Sequence, residues 1–403
     1  MDKKLTGILL AAGGVVLAAT ASAQQTELDL WTIDRPGEYH YVMADEYMAA
    51  NPDVKINVRT VQFQDMVNDL ARAVATGNAP DITYVDNPEI ALFASRGLLL
   101  DLTPHIEASG IVNAEDIFPG PRASVTWEDG IYGLPRGANT IALYYNADMF
   151  RTAGLDPDRP PTTWDELYEA AKTLTRPADN IYGLAFSAIG TEEGTFQFLP
   201  WLQMSGGDFD NVNTSGAVEA LTLWKRFIDE GLASRDTLVR GQWDSTGTFN
   251  NGSAAMSISG PWELPRMTSE VDFEIRAAML PMPAEGGQRV SALGEGDNVI
   301  LASTDQPDAA FGFVEYMYSQ MPRVWNEFGF LPASAVEVTD PNYPDIYAVF
   351  EESMQFARNR GPSPQWPQIS QAIQSAIQSA LTGQSSPQEA LAQAQTQIDR
   401  HLN

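Results

Sequence analysis

Trp243 to Trp262 reads WDSTGTFNNGSAAMSISGPW, and the fold follows from how this stretch is punctuated. An aromatic and three polar residues open a short helix, Asn250-Asn251-Gly252 turns the chain, and Ala254 to Ile258 form an apolar run that stops at Gly260-Pro261. Such a run, bounded by turn residues, predicts a buried strand. Pro261 cannot continue a central ladder, so the chain leaves the sheet there and delivers Trp262 at the strand's carboxyl end, where open α/β sheets keep their ligand crevice. An indole at that place is either a platform for something flat or a cover for the strand end, since Trp is mostly buried whatever its role.

Working outward, the chain before this stretch repeats the same grammar. Leu28 to Ile33 predicts a first strand that ends on the polar loop Asp34-Arg35-Pro36-Gly37, and a helix follows to Ala50. Val54, Ile56 and Val58 alternate as a second strand; Met66, Val67, Leu70, Ala71 and Val74 fall at helical spacing and stop at Gly77; Pro80 to Val85 is a third strand ending on Asp86-Asn87. Strand, helix, strand, helix, strand predicts a parallel sheet covered by helices. Arg136 to Thr140 is a polar crossing between two strands, and Thr163 with Glu166 three residues on is a capping box. Glu192-Glu193-Gly194 reads as a polar loop before a helix from Phe196, and Leu293 to Asn298 as a polar glycine loop feeding Val299-Ile300-Leu301. After the loop Arg360 to Trp366, two helices close the chain, the second opened by Ser386, Pro387 and Glu389.

Composition bounds the compartment and the partners. Residues 1–23 carry Lys3-Lys4, an apolar run from Gly7 to Ala19 and Ala21-Ser22-Ala23, the layout of a secretory signal peptide cleaved before Gln24. The 403 residues include no cysteine, which excludes disulfides, zinc thiolates and a lipid anchor at the cleavage point and points to the periplasm. Loss of Asp2, Lys3 and Lys4 with the leader takes the net charge from −29 to −30, so nucleic acid and anionic membranes are disfavoured partners. About 380 mature residues exceed what one core holds, so two domains are expected.

Catalytic signatures are missing. His40, His105 and His401 have no metal-ligand spacing; no Gly-x-Ser-x-Gly elbow occurs; Val299 stands where a dinucleotide fingerprint needs its third glycine. Neither a metal nor a cofactor is expected. Glu192 and Glu193 could be imagined as a glycosidase acid pair, but neighbours in sequence do not face each other across a bond. What remains is a set near strand ends and loops: Trp31, Asp34, Asp86, Asn139, Phe196, Trp243, Trp262, Glu295, Asp297, Arg360 and Trp366. Carboxylates and amides pair with the hydroxyl edge of a sugar and aromatics pack on its C–H face. Singly, each has a structural reading: Asp86 caps a helix, Asn139 satisfies a turn, Trp31 and Trp366 fill a core, Arg360 is a surface arginine.

Leu30-Trp31-Thr32, Pro80-Asp81-Ile82 with Asp86, Asp129 to Pro135, Ala142 to Asn146, Pro161 to Leu167, and Phe249 through Gly260-Pro261-Trp262 together resemble the sugar-binding proteins of ABC transporters, the maltose-binding-protein-like family 1. The resemblance implies an α/β fold of the periplasmic-binding-protein type II, two lobes around a cleft with a multi-crossing hinge near Gly137, Ser291 to Glu295 and Leu331. It divides the chain into a signal peptide (1–23), an N-terminal lobe (24–137 plus 296–331) and a C-terminal lobe (138–295 plus 332–403). It implies a periplasmic monomer that closes on a sugar, oligosaccharide, glycoside or polyol, returns it unchanged and hands it to the permease subunits of an ABC importer. Asp86 resembles the family's hydroxyl-binding acid, Phe196, Trp243, Trp262 and Trp366 its aromatic platforms. Asn139 stands where maltose-binding protein has an acid, and Gly294 to Asp297 replaces a Gly-Gly run with an acid at Glu295. A second cargo keeps the fold: Arg35, His40, Arg136 and Arg360 converging on a phosphate, sulfonate or uronate. A secreted glycosidase is the rival of another class.

Overall fold

The computed structural model describes residues 25–402; the signal-peptide reading lies outside them. Two sheets organise the chain. The first runs in the order Val54–Thr60, Thr26–Thr32, Ile82–Asp86, Gly296–Ile300, Leu134–Pro135; its first three strands are parallel, and Gly296–Ile300 lies antiparallel to both neighbours. The second is ordered Ile275–Ala278, Ala142–Asn146, Ala254–Ser259, Tyr182–Ala185. The strands Ile82–Asp86, Gly296–Ile300, Ala142–Asn146 and Ala254–Ser259 are buried throughout, so both of the faces to which their side chains alternate are covered. Leu143 and Tyr145 enter the large core with Trp201, Trp224 and Phe198, while Ala142 and Tyr144 face the core containing Leu28, Leu30, Ile82 and Phe313.

Local signals hold where they are strong. The helix Met66–Thr76 ends on Gly77 at φ +71°, in the left-handed region a glycine enters without a Cβ clash. The helix Trp164–Leu174 carries the full Thr163–Glu166 capping box. In the organising stretch, the helix Gln242–Asn250 is followed by the strand Ala254–Ser259, and Gly260 leads into the short turn Pro261–Glu263.

Two polar stretches differ from expectation. The helix read from Phe196 begins at Glu192, which puts Glu192 and Glu193 in its first turn, where the helix dipole favours anions. Gly296, Asp297 and Asn298, read as loop, are strand residues paired with Asp86, Val85 and Tyr84. Pairing on both edges of a central strand outweighs the polar, glycine-containing composition.

Three segments remote in sequence lie side by side between the sheets. Asn139 exchanges backbone hydrogen bonds with Gly294 at 3.2 and 3.0 Å, and Ala138 with Leu331 at 2.7 and 2.9 Å. Next to them Ser291–Ala292 pairs in parallel with Ala357–Arg358, which brings the Arg360 loop to the same place.

Candidate functional site

The groups between the sheets form two ionic knots and an aromatic wall. In the first knot, Arg136 Nη1 donates to both oxygens of Asp34 at 2.8 and 3.0 Å, and Arg136 Nε donates to Glu295 at 2.5 Å. The guanidinium lies over Tyr84 and Phe330, 4.6 and 4.5 Å from the ring centres, the geometry of a cation–π contact. Asp34 also accepts from the backbone N–H of His40 at 3.0 Å and faces its Nδ1 at 2.6 Å, while His40 Nε2 faces Asn298 Oδ1 at 2.7 Å. Burial pushes the Asp34 carboxyl up, but Arg136 and His40 outweigh it and hold the group well below the usual carboxylate range.

Glu295 ties this knot to the crossing. Its backbone sits at φ +93°, unusual for a residue with a Cβ and costing on the order of 1–3 kcal/mol. Its carboxylate is held by Arg136 on one oxygen and by Asn139 Nδ2 at 2.6 Å on the other. Gly294 beside it is required by space: a Cβ there would lie 2.2 Å from Asn139 Oδ1 and 2.6 Å from Phe196 Cζ.

The second knot joins the two sheets' elements through Arg360. Its Nη1 and Nη2 grip Asp86, at the end of the third strand, at 2.8 and 2.7 Å. Nη1 also donates to Glu192 at 2.7 Å, and Nη2 to Asn87 Oδ1 at 2.9 Å. The other Glu192 oxygen accepts from Ser370 Oγ at 2.5 Å. Arg360 therefore is not a surface arginine; it is 3% exposed and lies over Phe196, 4.7 Å from the ring centre. Burial opposes its charge, and Asp86 and Glu192 overcome that and raise its pKa above the ordinary value.

Aromatics complete the arrangement. Phe196 packs 6.2 Å from Trp262, whose half-buried indole also covers Gly260 so closely that a Cβ there would overlap the ring. Trp243, more exposed, carries two guanidiniums over its ring, Arg35 at 4.8 Å and Arg266 at 3.7 Å. Asp297 is 2% exposed, with Oδ2 unpartnered. Burial, then the charges of Asp86 and Glu295, raise its pKa well above the usual value.

Of the residues proposed from sequence, Asp34, Asp86, Asn139, Phe196, Trp262, Gly294, Glu295, Asp297 and Arg360 are linked in this way, and Arg35 and Trp243 contact each other beside them. Two readings need correction. Trp31 packs with Val61, Met66 and Ala73 under Arg59, because it faces opposite to Leu30 on its strand and meets the helix Met66–Thr76. Trp366 is fully buried in the large core against Phe209. Both are core side chains. Nor do Arg35, His40, Arg136 and Arg360 converge on a common point: Arg136 and His40 meet Asp34, Arg360 meets Asp86 and Glu192, and Arg35 lies over Trp243. Sequence reasoning missed Glu192, Ser370 and Tyr84; the acid pair after Thr191 was the available sign of a helix start. Glu192 and Glu193 do not form an acid pair, since Glu193 accepts from the backbone N–H of Gln242. Among the described residues no group of three or more metal-ligating side chains is arranged to hold an ion.

The sequence pattern of the family described as bacterial extracellular solute-binding protein matches residues 32–322. The chain belongs to that family. This solute-binding protein is 26% identical to the arabinooligosaccharide-binding protein of Bacillus subtilis, over 80% of this chain and 77% of that one. It is also 26% identical to the sn-glycerol-3-phosphate-binding periplasmic protein of Salmonella typhimurium, over 89% and 87%. Among solved structures, the solute-binding protein of an ABC transporter from Thermotoga lettingae, bound with α-D-tagatose, superposes with a TM-score of 0.84 at 26% identity, covering 94% of this chain and all of that one. The fold is thus the two-lobed type II α/β architecture of periplasmic binding proteins. No helix among the described residues is long and apolar enough to cross a membrane.

Proposed function

We propose that this protein captures a sugar, oligosaccharide or related polyol in the periplasm, closes two lobes on it and delivers it to the permease of an ABC importer. The lobes comprise residues 24–137 with 296–331 and 138–295 with 332–403, hinged where Ala138, Gly294 and Leu331 run together. The observation that carries the reading is the meeting of Asp86, an acid at a strand end, with Phe196 and Trp262 through Arg360. Each carboxylate oxygen accepts more than one hydrogen bond, so Asp86 can serve a hydroxyl while it holds Arg360, and two rings match the C–H face of a sugar. Asn139 Oδ1, buried without a donor, offers a further acceptor. The protein binds and releases its cargo unchanged, acts as a monomer and uses no cofactor.

Closure follows from differential affinity: a ligand that touches both lobes favours the state in which both are within reach. A shift from mostly open to mostly closed needs about 5.5 kcal/mol of that difference. The anionic-cargo reading has the glycerol-phosphate-binding relative in its favour, but Arg136 and Arg360 already face protein carboxylates, which disfavours it. Isothermal titration with neutral sugars, polyols and sugar acids, followed by small-angle scattering, tests the proposal. Saturable binding of a neutral sugar with compaction is expected; saturable binding of sugar acids alone, or binding without compaction, overturns it.

A further inference from the structure

We infer that the cargo carries a basic amine, as an amino-deoxy sugar or an aminated polyol does, and that Asp297 is the acid that recognises it. The inference rests on the carbohydrate-capture reading above and names its ligand class.

The joined knots hold the carboxylates of Asp34, Asp86, Glu192, Glu295 and Asp297 against the guanidiniums of Arg136 and Arg360. Five carboxyl groups thus face two guanidiniums, and Asp297, which has no counter-charge of its own, is held toward its protonated form by burial and by Asp86 and Glu295. Buried charge of one sign without a counter-charge is costly, so a cationic guest gains there and an anionic one loses. Excess acid alone would not define a ligand. The second observation is where hydrogen-bonding capacity is left over: Asp297 Oδ2 and Asn139 Oδ1 are buried and accept from nothing, Arg360 Nε and Asn298 Nδ2 are buried donors without an acceptor, and both oxygens of Asp34, Asp86, Glu192 and Glu295 have donors. Asp297 lies among Asp86, Glu295, Arg136 and Arg360, beside the strand end that bears Asp86. An ammonium meets the unpaired acceptors and brings the missing positive charge, and the hydroxyls carried on the same ring supply acceptors for the unpaired donors; a neutral sugar supplies the hydrogen bonds but not the charge.

The protein itself shows what such a group does here. Arg360 lays a cation on the face of Phe196 and shares its N–H groups between Asp86 and Glu192. An ammonium on a sugar ring would make the same kinds of contact with Asp297 and the neighbouring aromatics. Burial and the acids around Asp297 favour its protonated form in the free protein, so an arriving ammonium supplies the counter-charge that lets it ionise.

The test takes the neutral sugar that binds best in the panel and compares it, by isothermal titration, with its amino-deoxy forms and their N-acetylated counterparts. At least one free amine should bind about tenfold or more tightly than the hydroxyl parent, the size of a charge-assisted hydrogen bond, and acetylation should remove the gain. Asp297→Asn should bring amine and parent to within about threefold of each other. Equal or weaker binding of every amine overturns the inference and leaves carbohydrate capture standing. Failure of every sugar and polyol to bind overturns the capture reading and this one with it. The wild-type comparison decides even where Asp297→Asn does not fold.

Discussion

At the residue scale, the second knot illustrates how much of this site is organised by one side chain. Arg360 holds Asp86 and Glu192 in a buried place, and removing it leaves both carboxylates without their cation. Loss of one partner from a buried ion pair costs about 3–5 kcal/mol. Arg360→Ala should therefore lower the unfolding free energy obtained from urea titration by about that amount, and Arg360→Ala with Glu192→Gln should recover part of it because one uncompensated charge is gone. A single variant as stable as wild type would show that water reaches these acids freely. Glu263 offers a pH-dependent counterpart. Burial raises its pKa to about 8, against the opposing pull of Arg266 2.8 Å away. The folded state then holds this proton more tightly than the unfolded chain, whose carboxyl titrates near 4.5. The contribution is full below about pH 4.5 and is lost as pH rises through about 8, with a slope of at most ~1.4 kcal/mol per unit. Stability measured from about pH 5 to 8.5 should fall less steeply in Glu263→Gln than in wild type; parallel curves would remove Glu263 from the account.

At the element scale, the organising stretch behaves as its residues dictate. A short helix, a turn, a strand buried on both faces and a Gly-Pro stop place Trp262 beside Phe196. The third strand likewise ends on Asp86 and the first on the loop with Asp34, as alternation and turn residues predict. The first half of the strand Gly296–Ile300 was hidden for a physical reason: a strand's stability comes from its partners, and those partners are about 200 residues upstream in the chain. Its approach through Gly294 is the tightest point of the crossing. Gly294→Ala should push Asn139 or Phe196 aside, cost about 1–3 kcal/mol of stability and weaken sugar binding together with it. Unchanged titration and denaturation curves would mean that the crossing relaxes without effort.

For the whole molecule, charge and lobe contact set the behaviour. A net charge of −29 over the full sequence repels itself in the compact state. Raising sodium chloride from about 0.05 to 1 M should screen that repulsion, because the Debye length falls to about 3 Å, and raise the thermal midpoint. A falling midpoint would show that salt loosens ion pairs more than it relieves repulsion. Arg35 over Trp243 joins the loop after the first strand to the helix Gln242–Asn250 at the surface. An exposed cation–π contact contributes about 0.5–1 kcal/mol, so Arg35→Ala should weaken ligand affinity about two- to fivefold by favouring the open form. Scattering of the ligand-free variant should then show a larger radius of gyration; no change would separate this contact from closure.

The sequence by itself determined the main run of strands and helices, the acidic and cysteine-free composition and the residue kinds at the strand ends, because alternation, capping and turn chemistry act over a few residues. Only the tertiary structure decided which face Trp31 takes, that Trp366 belongs to a core, that Asp297 sits in a central strand, and that Arg360 is buried. Arg360 and Asp86 are 274 positions apart, and Asn139 and Glu295 156 apart. Whether such charges face each other depends on how two sheets pack and cross, and no local pattern in the chain encodes that.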